Sequence, residues 1–269
     1  MVKVCIIGLG RTGKEVVKVL LESKDIKIVS AVCSPGSDKI NRDLGEIIGE
    51  DYLGINIVSS DEIKRVCAET TPDVAVDFSN SEAALKNAII LSKMKINIVI
   101  GTTGFNKSDV ENLYKVTQKN NNAIVYAPNI TLGVNVLLLL TNIASNILND
   151  YDFHISEVHH KNKMDSPSGT SFKIATEIQK GVISSGKDKP EVTIAAARVG
   201  GVVGSHKVML VGEYDKLEIT HESFSRKAFA LGALKAVKFI NKKVGYYEMG
   251  DVLELSSVLN QYMEEREVI

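Results

Sequence analysis

The sequence predicts an α/β chain in two parts: a doubly wound domain on a parallel sheet, then an α+β domain with an open mixed sheet. Three observations predict it. Up to Asn129, short β-branched runs alternate with segments of helical periodicity, the pattern of a parallel sheet with crossover helices. A glycine-rich turn, Gly8-Leu9-Gly10-Arg11-Thr12-Gly13, joins the first strand to the first helix. Beyond Asn129, strands follow one another mostly without intervening helices.

Residues 2–8 are almost continuously apolar, as a strand buried on both faces requires. Residues 13–22 then place Val16, Val17, Leu20 and Leu21 at helical spacing. Further strands are expected at 26–32, 73–78, 96–100 and 123–126. Ser79-x-x-Glu82 and Ser108-x-x-Glu111 have the form of capping boxes. Each precedes a helical stripe, Leu85/Ala88/Ile89 in one case and Val110/Leu113/Tyr114 in the other. A long apolar helix follows at about 133–148. Strands are then expected at 152–159, 192–198, 207–211 and 216–221, largely antiparallel, with one helix among them opening at Ser168. Helical stretches near 229–240 and 251–259 close the chain. These elements predict a dinucleotide-binding domain over 1–129, completed by 241–269, and a substrate-binding and oligomerisation domain over 130–240.

Composition narrows the function classes. A formal net charge of -1 provides no global field to draw the chain to nucleic acid or a membrane surface. The longest apolar run, near Val136 to Leu140, is far short of a membrane span, and the N-terminus lacks a signal-peptide pattern. Cys5, Cys33 and Cys67 are spaced for neither a disulfide framework nor a zinc site. The expected location is the cytoplasm, with no resident metal.

The glycine turn has the form G-x-G-x-x-G. Its first glycine permits the tight turn, its second lets the backbone approach a pyrophosphate, and its third lets helix pack on strand. The helix start then offers free amides to phosphate. The acid expected about 20 residues later, on the ribose 2′-hydroxyl of NAD, is missing. The second strand ends Cys33-Ser34-Pro35, and Asp38 lies beyond the turn. A 2′-phosphate is therefore tolerable, with Ser34, Ser37 or Lys39 to contact it, and NADPH is favoured over NADH. Gly101-Thr102-Thr103-Gly104 and Ala127-Pro128-Asn129 also fall at strand ends, where open sheets bind ligands; plain turn chemistry is the competing reading.

The densest polar stretch is Glu157-Val158-His159-His160-Lys161-Asn162-Lys163-Met164-Asp165-Ser166-Pro167-Ser168-Gly169-Thr170, between a strand and a helix. Ser168 or Thr170 can cap that helix, whose N-terminus carries partial positive charge suited to a carboxylate. His159 and His160 as paired metal ligands are disfavoured, because adjacent strand residues point to opposite faces. The other readings are a solvated loop and acid–base chemistry on an anionic substrate, for which histidine is the suitable residue.

This string resembles the signature of the 4-hydroxy-tetrahydrodipicolinate (dihydrodipicolinate) reductases at its HH, K, D and PSGT positions. The likeness extends through Val76-Asp77-Phe78, Gly101-Thr102-Thr103-Gly104-Phe105, Ala127-Pro128-Asn129, Arg198-Val199-Gly200, Gly204-Ser205-His206, Ile219-Thr220-His221 and the segment from Ser225 to Ala230. The resemblance implies a Rossmann-type domain completed by the C-terminal residues, a second domain that builds a homotetramer, and NADPH and/or NADH as cofactor. It implies that His159 is the acid–base residue and Lys163 the proton donor, and that His160, Ser168, Gly169 and Thr170 contact a small dicarboxylic cyclic imine. Dinucleotide contacts are implied at Gly8, Leu9, Gly10, Arg11, Thr12 and Gly13. Others are implied at Cys33, Ser34 and Phe78, at Gly101, Thr102 and Thr103, and at Ala127, Pro128 and Asn129. Two features depart from the family pattern. Its glycine turn is usually one residue longer, and an acid often stands where this chain has Cys33. A related amino- or imino-acid dehydrogenase shares the expected fold but leaves the HH-x-x-K-x-D-x-PSGT string unexplained. A non-catalytic dinucleotide sensor needs no proton donors beside a carboxylate pocket.

Overall fold

The computed structural model describes residues 1–264, apart from the side chain of Met263. In chain order its elements are β1 (Val2–Ile7), α1 (Arg11–Leu21), β2 (Ile26–Cys33), α2 (Leu44–Ile48), β3 (Ile57–Ser59), α3 (Ile63–Thr70), β4 (Val74–Asp77), α4 (Ser81–Lys93), β5 (Asn97–Ile100), α5 (Lys107–Asn120) and β6 (Ala123–Tyr126). There follow α6 (Leu132–Ile147), β7 (Asp152–His159), α7 (Gly169–Ser184), β8 (Val192–Arg198), β9 (Gly204–Val211), β10 (Lys216–Ser223), α8 (Lys227–Ile240), β11 (Gly245–Tyr247), α9 (Met249–Val252) and α10 (Leu255–Glu264). They form two compact units, Met1–Thr131 with Phe229 onward, and Leu132–Ala228. Among the described residues, no helix is long and apolar enough to cross a membrane.

The first unit is built on a sheet in the order β11-β6-β5-β4-β1-β2-β3, with every pairing parallel. Its central strands are buried on both faces, so Val4 to Ile7, Val74 to Asp77 and Asn97 to Ile100 show no polar alternation. After β3 the chain crosses β1 to begin β4 on the other side. That reversal creates a switch point at the carboxyl end of β1, where open parallel sheets bind ligands.

Several details differ from the sequence expectation. The caps of α4 and α5 are asparagines, not the two serines. Ser79 is occupied elsewhere, its amide held at 2.9 Å by the Asp77 carboxylate, and Asn80 instead accepts the Ala83 amide at 3.0 Å. For α5 a capping box exists two residues earlier, between Asn106 and Asp109. The segments α2, β3, α3 and β11 were too short to show a period. The expected helix at 251–259 is broken where Glu254 takes a left-handed conformation (φ 52). Residues 229–240, grouped by sequence with the second domain, belong to the first unit. There α8 buries Ala230, Ala233, Ala236, Val237 and Ile240. A Cβ on Gly232 would stand 1.9 Å from the Ile130 carbonyl, so only glycine permits this approach.

The second unit carries a sheet in the order β10-β9-β7-β8. β9 runs antiparallel to both neighbours, whereas β7 and β8 are parallel. The parallel pair needs a crossover, and α7 is it. One sheet face is covered by α6 and α7: Val134, Leu137, Ile174, Ile178 and Val182 pack on Phe153, Ile155, Val208 and Leu210. Along β7 the inward positions run Phe153, Ile155, Glu157, His159, so the buried face turns from apolar to ionisable toward the strand end.

Candidate active site

In the first unit the expected dinucleotide residues gather at the carboxyl ends of adjacent strands. The glycine turn follows β1, Ser34 follows β2, Phe78 follows β4, Gly101 to Thr103 follow β5, and Ala127 to Asn129 follow β6. Gly8 has φ +88, and a Cβ there would lie 2.6 Å from the Phe78 backbone. A Cβ on Gly13 would lie 1.9 Å from the Gly8 carbonyl oxygen. Gly10 differs: a Cβ there would meet nothing within 4 Å. It caps α1 without a side-chain hydrogen bond, which leaves first-turn amides for an external acceptor. A tight turn with an open middle suits a pyrophosphate. Cys33 ends β2 with its thiol turned inward, 3.8 Å from the Val58 carbonyl, so it brings only backbone to the strand end. Arg11 and Ser34 are exposed there.

The second unit centres on Glu157, which is 1% exposed. Its carboxylate accepts the Ser168 amide at 3.1 Å, the Ser168 hydroxyl, the Ser171 hydroxyl at 2.5 Å and the Arg198 guanidinium at 2.8 Å. Burial pushes this acid up, but these donors outweigh it and hold it at about 2. His159 Nδ1 lies 3.8 Å from the carboxylate and His206 Nε2 lies 3.6 Å from it. The two rings meet edge to face with centroids 5.0 Å apart. Burial pushes both imidazoles down to about 4, against the pull of Glu157, so both are neutral at neutral pH.

Lys163 lies in the turn after β7, its ammonium 2.7 Å from Asp165. Gly169 opens α7 and is exposed, with Thr170 half-buried beside it. His160 is half-buried just past the end of β7. Ser168, expected to contact substrate, is placed within the cluster. It is 1% exposed and N-caps α7, with its hydroxyl committed to Glu157 and to the Ser171 amide.

Sequence reasoning assigned no role to Glu157, Ser171, Arg198 or His206. The signal for Glu157 was parity: it shares the inward face of β7 with Phe153, Ile155 and His159, and an acid there needs a partner. Arg198 and His206 come from β8 and β9, and only strand register brings them in, with His159 opposite Arg198 and Glu157 opposite His206. One carboxylate oxygen and two imidazole nitrogens from Glu157, His159 and His206 lie within 4.8 Å of one another. Arg198 and two hydroxyls already occupy that carboxylate, which suits acid–base chemistry better than a divalent cation.

A dinucleotide turn on one unit and a buried acid–base cluster beside an anion-suited helix start on the other define a two-domain nicotinamide-dependent oxidoreductase. The chain belongs to the dihydrodipicolinate reductase family, whose N-terminal model matches residues 2–130 and whose C-terminal model matches residues 133–253. The 4-hydroxy-tetrahydrodipicolinate reductase of Methanocaldococcus jannaschii is 37% identical over 96% of this chain and 99% of its own length. The Methanopyrus kandleri enzyme of the same name is 38% identical over 94% and 97%. In fold, the chain is similar to a dipicolinate-bound dihydrodipicolinate reductase from Paenisporosarcina sp. TG-14, with TM-score 0.72 and 22% identity over 92% of this chain and 97% of that one. An amine dehydrogenase from Mycobacterium smegmatis shares the fold more loosely, at TM-score 0.68 and 14% identity over 91% and 94%.

Proposed function

We propose that this chain reduces 4-hydroxy-tetrahydrodipicolinate to tetrahydrodipicolinate at the expense of a reduced nicotinamide and a proton, with the 4-hydroxyl leaving as water, on the route to diaminopimelate and lysine. The observation that carries the reading is the Glu157-centred cluster, which sets His159 and the start of α7 in one buried network and leaves Lys163 in the adjoining turn. Curated relatives of near-equal length bear the name of this reaction.

The bound cofactor supplies the hydride; the rest falls to side chains. Gly169 and Thr170 at the α7 start, with His160 and Lys163, hold the substrate carboxylates. Several such contacts must combine, since each helix-end interaction contributes roughly 0.3–1 kcal/mol. Lys163 is the proton donor. His159, neutral above about pH 4, is the acid–base residue. Glu157 stabilises any charge that His159 acquires, from 3.8 Å. Ser168 keeps α7 in place instead of touching substrate.

The first unit holds the dinucleotide at Gly8 to Gly13, at Ser34 and the backbone of Cys33, at Phe78, and at the loops from Gly101 and Ala127. NADPH is preferred, because β2 ends without a carboxylate and Ser34, Ser37 and Lys39 stand in the turn beyond it. The sheet face not covered by α6 and α7, with Val158, Met209 and Val211, supports assembly into a homotetramer. The working location is the cytoplasm.

The test is a coupled assay in which the preceding condensing enzyme supplies substrate while NADPH, then NADH, absorbance is followed. His159→Gln and Lys163→Ala are expected to lower kcat by roughly 10²–10⁴-fold, with cofactor affinity intact. Near-normal turnover in either variant would refute its acid–base role, and no turnover by the unsubstituted protein refutes the reading itself.

A further inference from the structure

We propose that Asp165 is an internal occupant of the substrate-carboxylate site, so that a dicarboxylate binds by displacing this side chain. The inference rests on the reductase reading above. The two donors best placed to receive a substrate carboxylate are the Lys163 ammonium and the first amide of α7, at Gly169. Both already serve Asp165. Its carboxylate lies 2.7 Å from Lys163 Nζ, and the Gly169 amide hydrogen-bonds to it. Burial alone would push this acid up, yet Lys163 first, then the Asp165 and Gly169 amides, hold it below the usual carboxylate range, so it stays ionised throughout the neutral range.

The loop is built to present that group. The Asp165 carbonyl accepts a hydrogen bond from Arg198, which Glu157 anchors at 2.8 Å. The backbone is thus tied to the buried cluster, whereas the carboxylate end is 55% exposed and able to swing out. Exchange of one carboxylate for another keeps Lys163 paired and the helix start neutralised, so neither group passes through an uncompensated state. The exchange also acts as a filter. A ligand that offers only what Asp165 offers gains little, whereas a diacid reaching His160 and Thr170 as well gains the difference.

The test is calorimetric titration of the full-length protein with dipicolinate, the pyridine-2,6-dicarboxylate. Asp165→Asn keeps an acceptor for the Gly169 amide but removes the charge facing Lys163. It is expected to lower the dipicolinate Kd by roughly two- to fivefold, the scale of a partly exposed ion pair. The gain should vanish in a Lys163→Met background, because displacement acts through that pair. An unchanged or weaker Kd in Asp165→Asn, with its Tm preserved, overturns the inference. So does equal tightening in the Lys163→Met background, which is what generic loss of a negative charge produces. If the unsubstituted protein neither binds dipicolinate nor turns over the substrate, the reductase reading fails instead.

Discussion

Asp77 of the first unit and Glu157 of the second are both buried carboxylates, at 0% and 1% exposure, yet their acidities move in opposite directions. Asp77 is held by neutral partners: the Ser79 amide at 2.9 Å, the Asn87 amide at 2.8 Å and two hydroxyls. Burial outweighs them, and its pKa is raised. Glu157 has a similar set of donors plus the Arg198 guanidinium, and the balance tips the other way. At Glu157 the Ser168 and Ser171 hydroxyls and then the Arg198 guanidinium outweigh burial and hold the acid at about 2, whereas at Asp77, which has no cation among its partners, burial wins. The same contrast runs through the two candidate sites. The first unit builds its site from backbone, which glycines allow to turn and approach. The second builds its site from charged side chains that must neutralise one another.

Acid is expected to break this symmetry most strongly. When folded, His159 and His206 stay neutral down to about pH 4, whereas unfolded imidazoles bind a proton near 6.5. Between those values the unfolded chain holds more protons, so stability falls as pH falls. Each imidazole removes up to about 1.4 kcal/mol per pH unit, which makes the loss from pH 7 to 4.5 on the order of 5 kcal/mol. Glu157, depressed to about 2, adds its loss below about pH 4.3. Asp77, raised, works against the trend, since its protonation favours the folded state. Urea unfolding free energies at pH 7.5, 6 and 4.5 measure the fall, and a flat profile would end the claim that the second unit buries neutral imidazoles.

Next in size is a matched pair of amide substitutions. Glu157→Gln leaves Arg198 with no charged partner at its buried end, and is expected to cost roughly 3–5 kcal/mol. Asp77→Asn keeps an acceptor for Ser79 and strands no cation, so about 1 kcal/mol or less is expected. Equal losses in urea unfolding would show that the cation does not set the difference.

What could be read in the sequence follows the same division. The parallel sheet was legible because strands buried on both faces leave continuous apolar runs, and the turn at Gly8 was legible because its chemistry is local. The Glu157 to Thr170 string was likewise contiguous. Arg198 and His206 were not readable as site residues, because they reach Glu157 across strands 41 and 49 positions away, through a register that no local pattern encodes. The return of α8 to the first unit was equally hidden: its small apolar residues suit any tight helix contact, and only the fit of Gly232 against Ile130 chooses one. The serine cap at Ser79 failed because Ser79 had a stronger claim on it from Asp77, a contact made by the strand before the helix.

Within the glycine turn, Gly10 supplies the smallest effect on stability, and its contrast with Gly13 the sharpest separation of fold from function. Gly13→Ala would force a methyl to within 1.9 Å of the Gly8 carbonyl, and the backbone must yield at roughly 1–3 kcal/mol. Dinucleotide affinity should fall with it, because turn and helix move together. Gly10→Ala adds a methyl that meets no protein atom within 4 Å, so its cost to stability should be only about a few tenths of a kcal/mol. Its methyl nevertheless enters the open space that the proposed reading gives to the pyrophosphate, so NADPH affinity should drop while Tm holds. Fluorescence titration of NADPH beside thermal melts reads both quantities at once. If Gly10→Ala binds NADPH normally, the open middle of the turn is not where the phosphates sit, and the contrast between a backbone-made and a side-chain-made site loses its first half.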